Sequence, residues 1–213
     1  LFSRRLNDKE LLERCYTQNI DTQERSAGLP DDRIVEAHGS FAESECIVCG
    51  KDYDHAECKR KILEGDTPVL CGQEDCIGLV KPKITFFGQG LPERFKWSNV
   101  DLPQADLLII MGTSLTVFPF AGLVDSCRPD CPRLLLNNKP VGLRVPGDLS
   151  GEGLRLRQTD NYRDVMLEGS CDDAVRALCD ALGWRDELEA LVAEHDCKIG
   201  VHNDPIDLSK AFP

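Results

Sequence analysis

The apolar and polar positions of this chain fall into blocks that favour alternating helices and strands. In residues 1–12, LFSRRLNDKELL, the apolar positions Leu1, Phe2, Leu6, Leu11 and Leu12 lie roughly on one helical face. Arg14–Gln18 reads as a short strand that breaks at once into the polar residues Gln18, Asn19 and Asp21. Lys83–Leu91 reads as a buried strand stopped by Gly88 and Gly90, with Phe86 and Phe87 on opposite faces of a sheet. Asp106–Ser114, DLLIIMGTS, is the clearest buried parallel strand, and it ends in Gly112, Thr113 and Ser114. Pro119 suits the first turn of a following helix. Arg133–Asn138, RLLLNN, is a further parallel strand ending in two amides, and Asp164–Leu167 is a last short one. Ser170 or Asp172 caps a helix that Gly183 closes, and a second helix covers Arg185–Glu194. Residues 139–163, rich in Gly, Pro and charge, are expected to form a surface loop, with GLRVPGDLSGEG its least structured part. From His195 onward there are few apolar anchors, so residues 196–213 are expected to be a loose tail.

Composition narrows the class. With 213 residues, the chain is long enough for one sizeable core, or one large and one small lobe. Charged residues at 29% and hydrophobic ones at 41% describe an ordinary globular protein. Lys and Arg number 25 against 37 Asp and Glu, and the resulting net charge of −12 disfavours a nucleic-acid binder, which needs a basic face. It is compatible with a basic peptide as partner. No run of about 18 apolar residues predicts a membrane span, and no basic-plus-apolar leader opens the sequence. Eleven Cys, an odd number, read as metal ligands or small buried hydrophobes in a reducing compartment, the cytoplasm or nucleus.

The candidate chemistry sits at strand ends. In an open α/β sheet the carboxyl ends of parallel strands line the ligand crevice. Gln18 and Asn19, Gly112–Ser114, and Asn137 would meet on one such edge and offer amides, hydroxyls and backbone N–H groups to ribose or phosphate. One loop after the first strand stands His38, the side chain most easily poised for proton transfer near neutral pH, followed by Gly39. Between Ser40 and Pro82 lie two close cysteine pairs, Cys46-Ile-Val-Cys49 and Cys71-Gly-Gln-Glu-Asp-Cys76. Four thiolates so spaced suit one tetrahedral Zn²⁺, with Gly50 and Gly72 in the tight turns. All four positions would be filled by protein, so the ion would be structural, one per chain. His55 and Cys58, between the pairs, are decoys on this reading.

The segments TQNID and EAHGS, at this separation, resemble the core of the sirtuins, NAD-dependent protein-lysine deacylases. The cysteine pairs also fall where that family carries its zinc ribbon. The resemblance runs from about residue 1 to about residue 195. It implies an α/β fold, a Rossmann-like parallel sheet with helices on both faces, formed by residues 1–40 and 83–195. A small zinc-ribbon module with four cysteine ligands, over 41–82, is inserted between them. The family's Gly-rich pyrophosphate turn does not precede Arg14, so the sheet is expected to lack its N-terminal part. Residues 1–213 alone are expected to bind NAD weakly and turn over poorly.

By the same resemblance, an acyl-lysine protein or peptide and NAD would be the substrates. Nicotinamide would be released and the acyl group passed to ADP-ribose. His38 would act as general base and Asn19 would position the ribose. Gln18 would also reach the ribose, and Ile20 and Asp21 would meet the nicotinamide carboxamide. Gly112, Thr113, Ser114, Asn137 and Cys171 would hold the adenosine half. Thr85, Phe86, Phe87, Gly88 and Gln89 would bind the acyl-lysine segment as an added strand. Lys83 and Gln89 stand where close members carry acids, which would weaken attraction to basic substrates. Two other functions compete: an NAD-dependent mono-ADP-ribosyltransferase using the same site, and a non-catalytic zinc-ribbon interaction module.

Overall fold

The computed structural model describes residues 1–145 and 153–199. Helix α1 (Phe2–Asp8) leads into strand β1 (Cys15–Thr17). The helix ends short of residue 12 because the Leu11 N–H returns to the Leu6 carbonyl, which leaves the Leu11 side chain exposed. A single turn, α2 (Gln23–Ser26), precedes β2 (Ile34–Glu36), which runs parallel to β1 with Tyr16 opposite Val35. Then come β3 (Gly39–Cys46), β4 (Asp52–Tyr53), α3 (His55–Glu64) and β5 (Val80–Ile84). Their strands form an antiparallel sheet in the order β4-β3-β5. The chain continues through α4 (Ser98–Gln104), β6 (Leu108–Met111), β7 (Arg133–Asn137) and β8 (Asp164–Glu168). It closes with α5 (Cys171–Leu182) and α6 (Arg185–Ile199).

Strands β6, β7 and β8 form a parallel sheet whose two faces divide the residues of β6 alternately. Leu108 and Ile110 pack with Leu135, Met166, Leu115 and Leu154, and with Ala121 and Val124 of a 3₁₀ helix. Ile109 and Met111 point the other way, toward Phe2 and Leu6 of α1, Cys179 of α5 and Leu188 of α6. The fold is therefore α/β, with helical elements on both faces of the sheet. The parallel strands are divided between β1-β2 and β6-β7-β8, and side chains rather than backbone join them at their carboxyl ends.

Three segments differ from what their sequence predicts. Residues 139–145 and 153–163 are more than a surface loop: Leu154 is buried, and Leu143 bridges to it in parallel while both pack under the sheet. Residues 146–152, the middle of the stretch expected to be least structured, lie outside the described residues. The last helix continues to Ile199, past the residue where the tail was expected to begin, and residues 200–213 lie outside the described residues. Finally, β5 stops at Ile84, so Phe86 and Phe87 belong to a turn and are 56% and 97% exposed. The apolar content of KITFFGQGLP suggests a buried strand, but Gln89 folds that segment back on itself by accepting the Phe86 N–H at 2.8 Å.

Deepest in the sheet lies an ion pair. Arg133 and Asp164, neighbours across β7 and β8, have fully buried side chains and meet through two hydrogen bonds of 2.6 and 2.7 Å. The remaining guanidinium N–H groups donate to Asp125, Val124 O and Gly153 O. Burial alone would raise the Asp164 pKa, but Arg133 and the Arg155 N–H outweigh it and hold the carboxyl below its ordinary value. A depressed carboxylate stabilises the fold above its unfolded pKa of about 4 and loses that contribution as pH falls through the folded value. Arg133→Leu, which strands a buried carboxylate, should cost about 3–5 kcal/mol in denaturant unfolding at neutral pH. The deficit should shrink in acid, where the stranded group takes up a proton. A loss under about 1 kcal/mol would contradict this reading.

Candidate active site

His38 sits where the two kinds of sheet meet. Just before it, the Ala37 N–H donates to Thr17 O and keeps the chain on β1. The Thr85 N–H, from the end of β5, donates to His38 O at 2.8 Å. Gly39 then turns the chain into β3 with φ +74°, and a Cβ there would lie 1.9 Å from the Lys83 carbonyl. Only glycine meets both demands. The imidazole is thus anchored by backbone on both sides.

Its ring is oriented as well. Nδ1 lies 3.2 Å from the Gln18 carbonyl. A carbonyl only accepts, so Nδ1 carries a proton, and in the neutral ring Nε2 keeps its lone pair. Phe120 packs against the ring at 6.3 Å between centroids, and Phe95 stacks on Phe120. Gln18 also reaches the other sheet, since its side-chain oxygen accepts the Thr113 hydroxyl at 2.8 Å. Asn137 Nδ2 then donates to Thr113 O at 3.2 Å. One chain of contacts therefore runs from His38 through Gln18 and Thr113 to Asn137, across the ends of β1, β6 and β7.

Beside this chain is a cavity of about 390 Å³ lined by Gly112–Ser114, Asn137–Lys139, Ser170 and Cys171. Ser170 caps α5, taking the Asp173 N–H, so the helix presents its first turn to the cavity. Cys171 Sγ donates to Leu136 O and would lie 3.3 Å from a Cβ at Gly112, which has φ +58°. A larger cavity, about 760 Å³, opens at the opposite ends of the strands, among Glu10, Glu13, Asp32 and Asp106. Its charged lining is mainly carboxylates, two of them paired with Arg33, and it contains no residue of the His38 chain. The smaller cavity is the one that shares Thr113 and Asn137 with the His38 chain.

The remaining candidates of the first strand end have local roles. The Asn19 N–H donates to Thr17 Oγ1, the Ile20 carbonyl takes the Phe41 N–H, and Asp21 accepts from Gln23 N at the start of α2. Ser114 shares a hydrogen bond with Thr116. Phe120, Phe95 and Lys139 are not singled out by the sequence, and Asn138 only as the second amide of its strand end. Lys139 had a readable signal, a cation directly after a polar strand end; the packing of Phe120 on His38 had none.

The four cysteines converge. The Sγ atoms of Cys46, Cys49, Cys71 and Cys76 all lie within 4.8 Å of one another, with Cys46–Cys76 at 3.7 Å and Cys49–Cys71 at 3.6 Å. A Zn²⁺ with bonds of about 2.3 Å to four sulfurs implies S–S edges near 3.8 Å, so the donors fit that ion. Gly50 and Gly72 both take φ +67° in the turns of the two pairs. The N–H groups of Cys49 and Val48 pull the Cys46 thiol pKa down, while burial and the neighbouring sulfurs push Cys71 and Cys76 up, as four thiols crowded around one point would do. Cys58 is instead buried in the core of this module, and His55 bonds Ser44 Oγ at 3.0 Å. A further constraint is Gly78, where a Cβ would lie 2.3 Å from Cys46 Sγ.

Strand β3 links the two centres. His38 directly precedes its first residue and Cys46 is its last, so the thiols stand roughly 20 Å from the imidazole. The thiol cluster is thus remote from the smaller cavity, and an ion held by its four sulfurs would be structural.

The sequence profile of the Sir2 family matches residues 1–119, more than half of the chain. The chain belongs to the Sir2 family. Among its relatives, the NAD-dependent protein deacetylase sirtuin-2 of Danio rerio is 46% identical over 197 residues, which cover 90% of this chain and 51% of that protein. The NAD-dependent protein deacetylase hst2 of Schizosaccharomyces pombe is 43% identical over 192 residues, 90% of this chain and 53% of the relative. The NAD-dependent deacetylase sir2A of Dictyostelium discoideum is also 43% identical, over 90% of this chain and 36% of its own length. This Sir2 chain thus spans about half the length, or less, of these curated relatives.

Two measurements test the geometry of this Sir2 protein. Elemental analysis should find about one equivalent of zinc, and Cys46→Ser or Cys71→Ser should lose most of it. Less than half an equivalent in the unmodified protein would contradict the site. Gly39→Ala should lower stability by about 2–4 kcal/mol, from left-handed strain plus the clash with Lys83 O. A melting temperature unchanged by that substitution would mean the junction is looser than described.

Proposed function

We propose that this protein is an NAD-dependent protein-lysine deacylase. The observation that carries the reading is the His38 ring, whose Nδ1–H is taken by Gln18 O while Nε2 has no protein partner among the described residues. An imidazole in that tautomer is a general base held in place. The donor groups around the smaller cavity fit the adenosine half of a dinucleotide, and the relatives' printed names add that they are NAD-dependent deacetylases.

Bound NAD supplies an electrophilic ribose carbon, nicotinamide as leaving group and the acceptor for the acyl group. The protein's own residues do the rest. Nε2 of His38 takes a proton from a ribose hydroxyl, and the Gln18 carbonyl steadies the ring as it becomes positive. Asn19, with Gln18, positions the ribose, and Ile20 and Asp21 border the nicotinamide. Gly112, Thr113, Ser114, Asn137 and Cys171 hold the adenosine half. Phe120 packs against the His38 ring, and Phe95 backs Phe120. The segment Thr85–Gln89 receives the acyl-lysine. Residues 1–40 and 83–195 act as the nucleotide lobe, and residues 41–82 as a zinc-stiffened lobe beside it.

No helix among the described residues is long and apolar enough to cross a membrane. The reduced, metal-ready thiols fit the cytoplasm or nucleus as the place of action, and the net charge of −12 fits a protein rather than a nucleic-acid substrate.

Incubating the protein with an acetyl-lysine peptide, with and without NAD, tests the function. NAD-dependent loss of acetyl with release of nicotinamide is the expected result, and His38→Ala should reduce turnover by about 10²-fold or more. Turnover unchanged by His38→Ala would remove the histidine from the mechanism. Protein gaining the mass of ADP-ribose while the peptide keeps its acetyl group would replace the deacylase with a transferase.

A further inference from the structure

Ahead of β7 the chain makes an exposed turn with a cysteine at each root, Cys127-Arg-Pro-Asp-Cys131. Arg128, Pro129 and Asp130 stand in solvent, whereas Cys127 is 6% exposed and Cys131 is fully buried. The Cys131 N–H closes the turn by donating to Arg128 O at 3.1 Å. Arg163, just before β8, clamps it. Its Nη1 donates to Arg128 O at 2.6 Å and to Cys131 O at 3.4 Å, and lies 3.8 Å from Cys127 Sγ.

The two sulfurs act on each other. Burial pushes the Cys131 thiol up to about 11, and the charge and hydrogen bonding of Cys127 add to the shift. Neither thiol is firmly engaged elsewhere. Cys127 Sγ reaches Val124 O at 3.7 Å and Cys131 Sγ reaches Pro132 O at 3.5 Å, and a thiol is a weak donor. Their surroundings differ. Arg163 sets a positive charge against Cys127 Sγ, and the buried Nε of that guanidinium has no hydrogen-bond partner among the described residues. A cation beside a sulfur favours the thiolate, the nucleophilic form, whereas a buried sulfur such as that of Cys131 stays protonated.

We propose that Cys127 and Cys131 form a reversible oxidation site that takes small hydroperoxides and closes to an intramolecular disulfide. The Cys127 thiolate attacks one peroxide oxygen and the O–O bond breaks. Cys127 becomes a sulfenic acid, and the leaving oxygen takes up the proton that Cys127 gave up. The Cys131 sulfur then attacks Cys127 Sγ, the S–O bond breaks, and water departs with the Cys131 proton. Two thiols are oxidised by two electrons and one peroxide is reduced to water and an alcohol, or to two waters. Only a small oxidant suits the site, because Cys127 shows solvent little of its surface and Cys131 none. The inference stands apart from the deacylase reading, since the turn lies at the end of β7 opposite Asn137.

Peptide mapping of the full chain tests this. Trypsin does not cut between Arg128 and Pro129, so both cysteines fall in the peptide Trp97–Arg133, which holds no other cysteine. The chain is treated with limiting hydrogen peroxide and then alkylated in denaturant. That peptide should be two hydrogens lighter and carry no alkyl group, and dithiothreitol before alkylation should restore both thiols. Cys131→Ser should instead leave a sulfenic acid on Cys127 that dimedone captures, and Cys127→Ser should leave Cys131 reduced. A doubly alkylated peptide from protein whose other cysteines are oxidised overturns the proposal, as does dimedone capture on Cys131 instead of Cys127. So does a Cys127 carried on to sulfinic acid beside a Cys131 that still takes the alkyl group. The unsubstituted chain alone decides whether the disulfide forms, so a variant that fails to fold leaves the test intact.

Discussion

Gln18 uses its two oxygens in two directions, and the site takes its shape from that. The backbone carbonyl receives the Nδ1–H of His38, and the side-chain carbonyl receives the hydroxyl of Thr113. Strands β1 and β6 share no backbone ladder, so this residue does at the strand ends what a ladder does elsewhere in a sheet. It also sets the protonation pattern of the histidine, because a carbonyl cannot donate. Orientation of the imidazole and a hydrogen-bonded link between the two sheets both come from one residue at one strand end.

The surrounding fold holds that residue still. Gly39 allows β3 to pass close to the Lys83 carbonyl, which ties the histidine to the antiparallel module. At the far end of β3 the four thiols converge, so an ion held there would stiffen the strand that begins directly after His38. On the other side, Arg133 and Asp164 lock β7 to β8 at the end of β7 opposite Asn137. These anchors use different physics: backbone sterics, metal–thiolate geometry and a fully hydrogen-bonded buried ion pair.

Much of this was legible in sequence, and the parts that were not share a cause. The strands ending at Thr17, Met111 and Asn137 are short apolar runs followed by polar residues, a local pattern that survives folding. The cysteine spacing and its glycines are local too, and the four thiols meet as that spacing requires. What escaped depends on individual side-chain and backbone contacts that the apolar pattern does not encode. The exposure of Phe87 follows from a hydrogen bond between Gln89 and Phe86 that composition does not reveal. The burial of Leu154 follows from its bridge to Leu143, inside a stretch whose Gly and Pro content suggests a loop. The contact of Phe120 with His38 spans two segments far apart in the chain.

The most direct measurement is the tautomer of His38, read from the nitrogen chemical shifts of its imidazole at a pH where the ring is neutral. A protonated Nδ1 with a bare, pyridine-like Nε2 is the pattern the Gln18 contact demands. The opposite tautomer, with the proton on Nε2, would break the link between that carbonyl and the base and contradict the site as described.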